Sequence, residues 1–172
     1  IAVSKAAPDG YTLLAVSSSM TTNVATQAKS SFDPAIDLTP VAMLARGPFI
    51  VAVNDNFPAK NPAELIALLK ANPGKFNFAV GSIGSAGHLC TVKLEQATGS
   101  QIAIVPYKGT GPAMTDLVGG QIEGFIDPVL GSVQFHRSGQ LKVVGVTSSK
   151  RLPNLPDVAT VSETIPDFQC AS

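Results

Sequence analysis

Two glycine-rich stretches hold most of the side chains and backbone positions that could bind or react. They are Gly81-Ser82-Ile83-Gly84-Ser85-Ala86-Gly87-His88 and Tyr107-Lys108-Gly109-Thr110-Gly111. Each follows an apolar run and leads into a helical pattern, so each feeds a helix N-terminus. Such a terminus presents unpaired N–H groups and a partial positive charge, and it attracts an anion without a cationic side chain. Gly81, Gly84 and Gly87 would let the backbone approach a ligand, Ser82 and Ser85 add hydroxyls, and Lys108 adds one charge. The same glycines also suit ordinary tight connections, and the local sequence does not choose between the two readings. His88 could donate to a ligand or act as a base, or it could cap and pack against its own loop. Asp127 ends an apolar run before Pro128, as a pocket residue or as a turn-forming Asp-Pro. Tyr107 could line a pocket or close a strand.

Sharper chemistries fail on spacing. Gly81, Gly84 and Gly87 are three apart, whereas the dinucleotide fingerprint needs glycines two and then three apart. No glycine loop precedes Lys75 or Lys108 in the Walker A pattern. Ser85 lacks the glycine two residues earlier that a nucleophile elbow requires, which weakens a hydrolase built from Ser85, His88 and Asp127. The two histidines, His88 and His136, have no metal-ligand spacing around them, so neither a metal nor a cofactor is expected.

The elements that must position these residues alternate. Pro8-Asp9-Gly10 is a turn before an apolar run, Tyr11 to Val16, which is expected to be a strand. Ser17 to Thr22 form a polar stretch behind it. Phe49 to Val53 reads as a strand buried on both faces. Asn61-Pro62-Ala63-Glu64 opens a helix with a cap, a proline at the first position and a capping-box glutamate, and Asn72-Pro73-Gly74 stops it. Two strand-loop-helix units follow: Phe76 to Val80 with a helix from His88 closed by Gly99, and Ile102 to Tyr107 with a helix from Pro112 closed by Gly119-Gly120. Ile122 to Ile126 and Leu141 to Thr147 are further strands, and the chain beyond Lys150 is proline-rich and irregular. The alternation predicts an α/β layer fold whose strand ends carry both glycine loops on one edge.

The 172 residues balance twelve Lys and Arg against twelve Asp and Glu, and only 14% are charged. A neutral, weakly charged surface argues against nucleic acid as a partner. No apolar run reaches the ~18 to 20 residues of a membrane span, so no direct membrane insertion is expected. Cys90 and Cys170 could form one bridge in an oxidising compartment, but their different local contexts favour two free thiols. The first residue is Ile1 and no cleavage signal follows it, so the sequence is expected to begin inside a longer chain.

The motifs also have a familiar order: Ala7-Pro8-Asp9-Gly10-Tyr11-Thr12-Leu13-Leu14, Asp37-Leu38-Thr39-Pro40-Val41, Pro62-Ala63-Glu64-Leu65-Ile66, the Gly81 to Leu89 loop, Val105-Pro106-Tyr107-Lys108-Gly109 and Leu155-Pro156-Asp157-Val158. Taken in sequence they resemble the Bug (TctC-like) family, the periplasmic substrate-binding receptors of tripartite tricarboxylate transporters. The resemblance covers nearly the whole chain. It implies a two-lobed α/β periplasmic-binding-protein fold of type II that closes on a small carboxylate (a di- or tricarboxylate, an amino acid or an aromatic acid) without performing chemistry on it. It implies a periplasmic location and, as partners, the membrane components of the transporter. Residues 1–48 would be part of the first lobe, 49–146 the complete second lobe and 147–172 a return segment. By position, the pocket would use Ser17, Ser18, Ser19 and Asn23 on one side. Gly81, Ser82, Gly84, Ser85, Ala86, His88, Tyr107, Lys108, Gly109 and Asp127 would face them. The part-lobe up to about Leu44 should leave apolar surface exposed. An effector domain of a transcription regulator can share such a fold, but it would need a helical DNA-binding region that this sequence does not contain.

Overall fold

The computed structural model describes residues 2–26 and 32–171. Five strands make its centre: β1 (Phe49–Asn54), β2 (Asn77–Val80), β3 (Ala103–Pro106), β4 (Gly124–Pro128) and β5 (Leu141–Val146). They form one sheet in the order β3-β2-β4-β1-β5. β2 pairs in parallel with both β3 and β4, while β1 runs antiparallel between β4 and β5. The helices are α1 (Ser19–Thr26), α2 (Pro34–Asp37), α3 (Pro62–Ala71), α4 (Ala86–Thr98), α5 (Thr110–Val118) and α6 (Val129–Arg137).

β1 explains why the sheet is covered twice. Its side chains alternate by the strand period of two. Phe49, Val51 and Val53 join Leu65 and Leu69 of α3 with Leu94 of α4 in one core. Ile50 and Ala52 join Ala113, Met114 and Leu117 of α5 with Val133 of α6 in the other. The continuous apolar run in the sequence therefore marks a central strand buried on both faces, as expected.

α3 begins as its sequence predicts. The Asn61 side chain accepts from the Glu64 N–H at 2.9 Å, and Pro62 holds the first turn. Glu64 reaches back one residue further than a capping box requires, accepting from the Lys60 N–H at 2.8 Å. α4 ends at Gly99, whose φ of 64° is the left-handed cap that glycine adopts without cost.

Three expectations need correction. Tyr11 to Val16 is extended but forms no strand, and Tyr11 is 92% exposed. A strand requires a ladder partner, and none of the described residues supplies one. Leu13, Ile36, Val41, Met43 and Leu44 are exposed as well, which is the uncovered apolar surface anticipated for this part of the chain. Secondly, α6 occupies a stretch where the sequence suggested no element. Gly131, Ser132 and two β-branched valines make it a poor intrinsic helix, and burial of Ser132 and Val133 holds it in place.

Thirdly, the cysteines are not free. Cys90 of α4 and Cys170 form a disulfide with their Cα atoms 6.0 Å apart, across a sequence separation of 80 residues. The irregular chain after β5 returns along the sheet: Leu155 and Val158 enter one core, Val161 and Phe168 the other. The Cys170 N–H donates to the Thr147 carbonyl at 3.1 Å, which sets Cys170 against α4. Local context could not reveal that proximity.

A closed loop of this length should stabilise the fold by about 2–4 kcal/mol. We expect reductant to lower the urea midpoint of the parent protein. A Cys90→Ala, Cys170→Ala variant should already sit near that lower midpoint and not respond to reductant. Equal midpoints for parent and variant under oxidising conditions would show that the bridge does not stabilise the fold.

Candidate functional site

Parallel pairing puts the ends of β2, β3 and β4 on one edge, and α4, α5 and α6 start there. The two glycine loops meet directly, with the Gly109 N–H donating to the Gly81 carbonyl at 2.8 Å. Gly81 and Gly109 thus lie together at one end of the sheet.

In the first loop, Ser85 caps α4 by accepting from the His88 N–H at 3.2 Å. His88 turns its Nδ1 toward the loop and accepts from the Gly84 N–H at 3.0 Å. Nδ1 is therefore the unprotonated nitrogen, and the ring proton sits on Nε2. Gly84 is buried with a φ of 80°, a conformation that β-branched residues avoid. Ala86 and Gly87 occupy the first turn, where no intrahelical carbonyl reaches their N–H groups. Gly87 has a packing role the sequence did not suggest. A Cβ there would stand 2.7 Å from the Ile126 carbonyl oxygen, so its missing side chain lets α4 press against β4.

The second loop enters α5 through Gly109, with a φ of 99°. Pro112 in the first turn has no N–H, which leaves Thr110 and Gly111 as the donors of that terminus. Lys108 is exposed. Tyr107 is tied down: its hydroxyl donates to Asp116 Oδ2 at 2.7 Å, and that bond to a carboxylate pushes the phenol up to about 12.

Asp127 is buried at the end of β4. Its Oδ1 accepts from the Thr110 hydroxyl at 2.8 Å and its Oδ2 from the Ser132 hydroxyl at 2.9 Å. The carboxylate thereby joins the N-termini of α5 and α6 to the sheet. A Cβ at Gly131 would come within 2.6 Å of Oδ2, so that glycine makes room for it. Burial pushes the carboxyl above its ordinary range, and the two hydroxyls pull it part of the way back. With His88 Nδ1 engaged by Gly84 and both Asp127 oxygens engaged by hydroxyls, the Ser85–His88–Asp127 relay of a hydrolase is not assembled. No cluster of metal-ligating side chains occurs among the described residues.

Residues from the other side of the expected cleft come close to this edge. Ser17, Ser18 and Ser19 lead into α1, and the Thr22 hydroxyl donates to the Gly84 carbonyl at 2.8 Å. The Ser18 hydroxyl oxygen is buried and has no hydrogen-bond partner among the described residues. Asn23 lies in α1, and its side chain is outside what the structure describes. Thr110 and Ser132 were missed by sequence reasoning. Thr110 stood inside a glycine loop already singled out, whereas Ser132 carried no local signal.

A mixed five-stranded sheet with helices on both faces and its loops gathered on one edge is a lobe of the periplasmic-binding-protein fold. Solved structures agree. R. palustris Rpa4515 with adipate superposes with a TM-score of 0.94 at 33% identity, covering 99% of this chain and 57% of that one. The periplasmic binding protein BugD gives 0.91 at 34%, covering 98% and 57%. MatC from Rhodopseudomonas palustris with bound malate gives 0.76 at 31%, covering 82% and 49%. Among curated relatives, BugT of Bordetella pertussis is 37% identical over 97% of this chain and 52% of its own length. A UPF0065 protein of Agrobacterium vitis is 33% identical over 99% and 49%. Residues 1–172 match the family described as tripartite tricarboxylate transporter family receptor. The chain belongs to that family, which comprises solute-binding receptors and not enzymes. It spans about half the length of the curated relatives it matches.

The position of Asp127 yields a pH test. A carboxyl raised in the folded state contributes stability below its unfolded pKa and loses it as pH climbs through the folded value. Asp127→Asn removes that titration. Its stability relative to the parent should therefore rise between acid and neutral pH, measured by urea midpoints. A gap that stays flat or falls over that range would contradict the assignment.

Proposed function

We propose that this chain is the ligand-binding part of an extracytoplasmic solute receptor. It takes up a small organic acid in the periplasm and delivers it to the membrane components of a tripartite tricarboxylate transporter. Residues 1–48 form part of one lobe, 49–146 the other, and 147–172 return toward the first. The observation that carries this reading is the pair of hydrogen-bonded glycine loops, whose two helix N-termini open on the edge that α1 approaches. Adipate and malate in the relatives' structures support a carboxylate as the ligand.

On this reading the acid is held mainly by neutral donors. The N–H groups of Ala86 and Gly87, the hydroxyls of Ser82 and Ser85, and the Nε2–H of His88 serve one lobe, with Thr110 and Gly111 beside them. Ser17, Ser18, Ser19 and Asn23 serve the other. Gly81, Gly84 and Gly109 shape the loops, Lys108 lends charge at the rim, and Tyr107 and Asp127 hold the second loop in position.

The full-length receptor tests this by calorimetric titration with adipate and malate. Lys108→Met should weaken binding by no more than about five-fold, the effect of a screened, exposed charge. Gly84→Val should abolish it, because the side chain strains a positive φ and crowds the loop. Ser85→Ala should fall between, at roughly two- to ten-fold for one lost hydrogen bond, with about 1 kcal/mol of stability lost along with the cap. Binding that survives Gly84→Val but not Lys108→Met would mark an ion-pair pocket instead.

A further inference from the structure

We propose that Thr22 is a closure latch, a positioning residue that holds α1 against the first glycine loop at Gly84 and sets how long a bound acid stays. The inference rests on the two-lobed receptor reading above. Its basis is a competition for a single proton. Among the described residues, the Thr22 hydroxyl has three carbonyl oxygens in reach: Ser18 at 3.3 Å, Ser19 at 3.1 Å and Gly84 at 2.8 Å. One hydroxyl hydrogen serves one acceptor well, and the shortest contact is the one that crosses 62 residues of sequence to Gly84. The other two are the back-bonds to the preceding turn that threonine makes in any helix. When α1 moves away, the proton returns to its own helix and the hydroxyl keeps a partner. The contact can therefore break and re-form without leaving an unsatisfied donor, which is what a reversible latch requires.

Gly84 is the fitting strike for it. Its N–H is held by His88 Nδ1 and its carbonyl by Thr22, so the two peptide units that flank its Cα are gripped, one from α4 and one from α1. The backbone hydrogen bonds described for residues 2–46 turn locally, as in Met20 to Ser17 and Asp37 to Asp33. The Thr22 side chain, by contrast, ties that region to the edge where the loops meet. Closing the latch brings Ser17 to Ser19 over the start of α4 and fixes the backbone that the ligand is expected to face.

The test uses the full-length receptor with spin labels at the exposed positions Lys5 and Lys70, introduced by substitution to cysteine, in parent, Thr22→Val and Thr22→Ser backgrounds. Valine keeps the shape and removes the proton, whereas serine restores it. We expect the valine variant to shift the distance distribution toward a more open arrangement and the serine variant to match the parent. With adipate or malate as probe, Thr22→Val should dissociate two- to ten-fold faster, the worth of one neutral hydrogen bond, with the association rate unchanged. If neither acid binds any of the three proteins, the receptor reading fails, while the distance distributions still decide the latch. If the acids bind and all three proteins share one distribution and one dissociation rate, the latch is overturned and the receptor reading stands.

Discussion

Parallel pairing of β2 with β3 and β4 is the constraint from which the rest of the architecture follows. It sends three strand ends to one edge and starts three helices there, so unpaired N–H groups from separate parts of the sequence converge. β1 adds to this because it runs the other way. Its first residue, Phe49, sits opposite Pro128 at the end of β4, and Ile50 sits opposite Val146 at the end of β5. The chain therefore enters the sheet at Pro48 and leaves it at Thr147 on the same edge that carries the glycine loops. A body whose loops and chain crossings share one edge can be approached there by whatever precedes β1, and α1 is found there, touching Gly84.

Anion-seeking helix termini crowded together have to be kept from collapsing on one another. Asp127 answers part of this from within the protein. Its carboxylate sits at the entrance to α6 and takes hydroxyls from α5 and α6, so a group of the protein itself stands at the third terminus. The arrangement is a compromise between burial, which favours the neutral carboxyl, and hydroxyl donors, which favour the charged one. Tyr107 and Asp116 do comparable work within the second loop and α5. Their hydrogen bond ties the residue before the loop to a side chain within α5.

Local signals carried the sheet strands, α3 with its Asn61-Pro62 start, the glycine loops and the stops at Gly99 and Gly119. Each of these is decided by a few consecutive residues: a cap, a proline, a positive φ or an apolar run. What the sequence could not display depends on partners far along the chain. Tyr11 to Val16 has the composition of a strand but no ladder among the described residues. α6 has weak propensity and exists because Val133 is buried. The Cys90–Cys170 bridge needs the fold of the return segment before the two residues can be seen as neighbours. Gly87 gave no local sign of its packing role, because its neighbours in sequence are loop residues while a side chain there would meet the backbone of β4.

The same edge also fixes where the molecule can bend. Thr147 is buried where three chain crossings meet. Its hydroxyl oxygen accepts from the Phe49 N–H at 3.0 Å, and its proton has the Cys170 carbonyl at 2.7 Å as the nearer of two acceptors. Pro48 bridges Ala171, and Cys170 is bonded covalently to α4, the helix that begins with the first glycine loop. Segments 48–49, 147 and 170–171 are therefore fastened to one another and to the loop that faces α1. Motion of residues 2–46 relative to the sheet cannot be absorbed inside that cross-tied knot without breaking buried hydrogen bonds. Just before Pro48 no such ties are found among the described residues: Gly47 meets no crowding atom and Arg46 is exposed. The glycine loops and the chain crossings at this edge are thus tied into one hydrogen-bonded unit, and the bond from the Thr22 hydroxyl to the Gly84 carbonyl joins α1 to it.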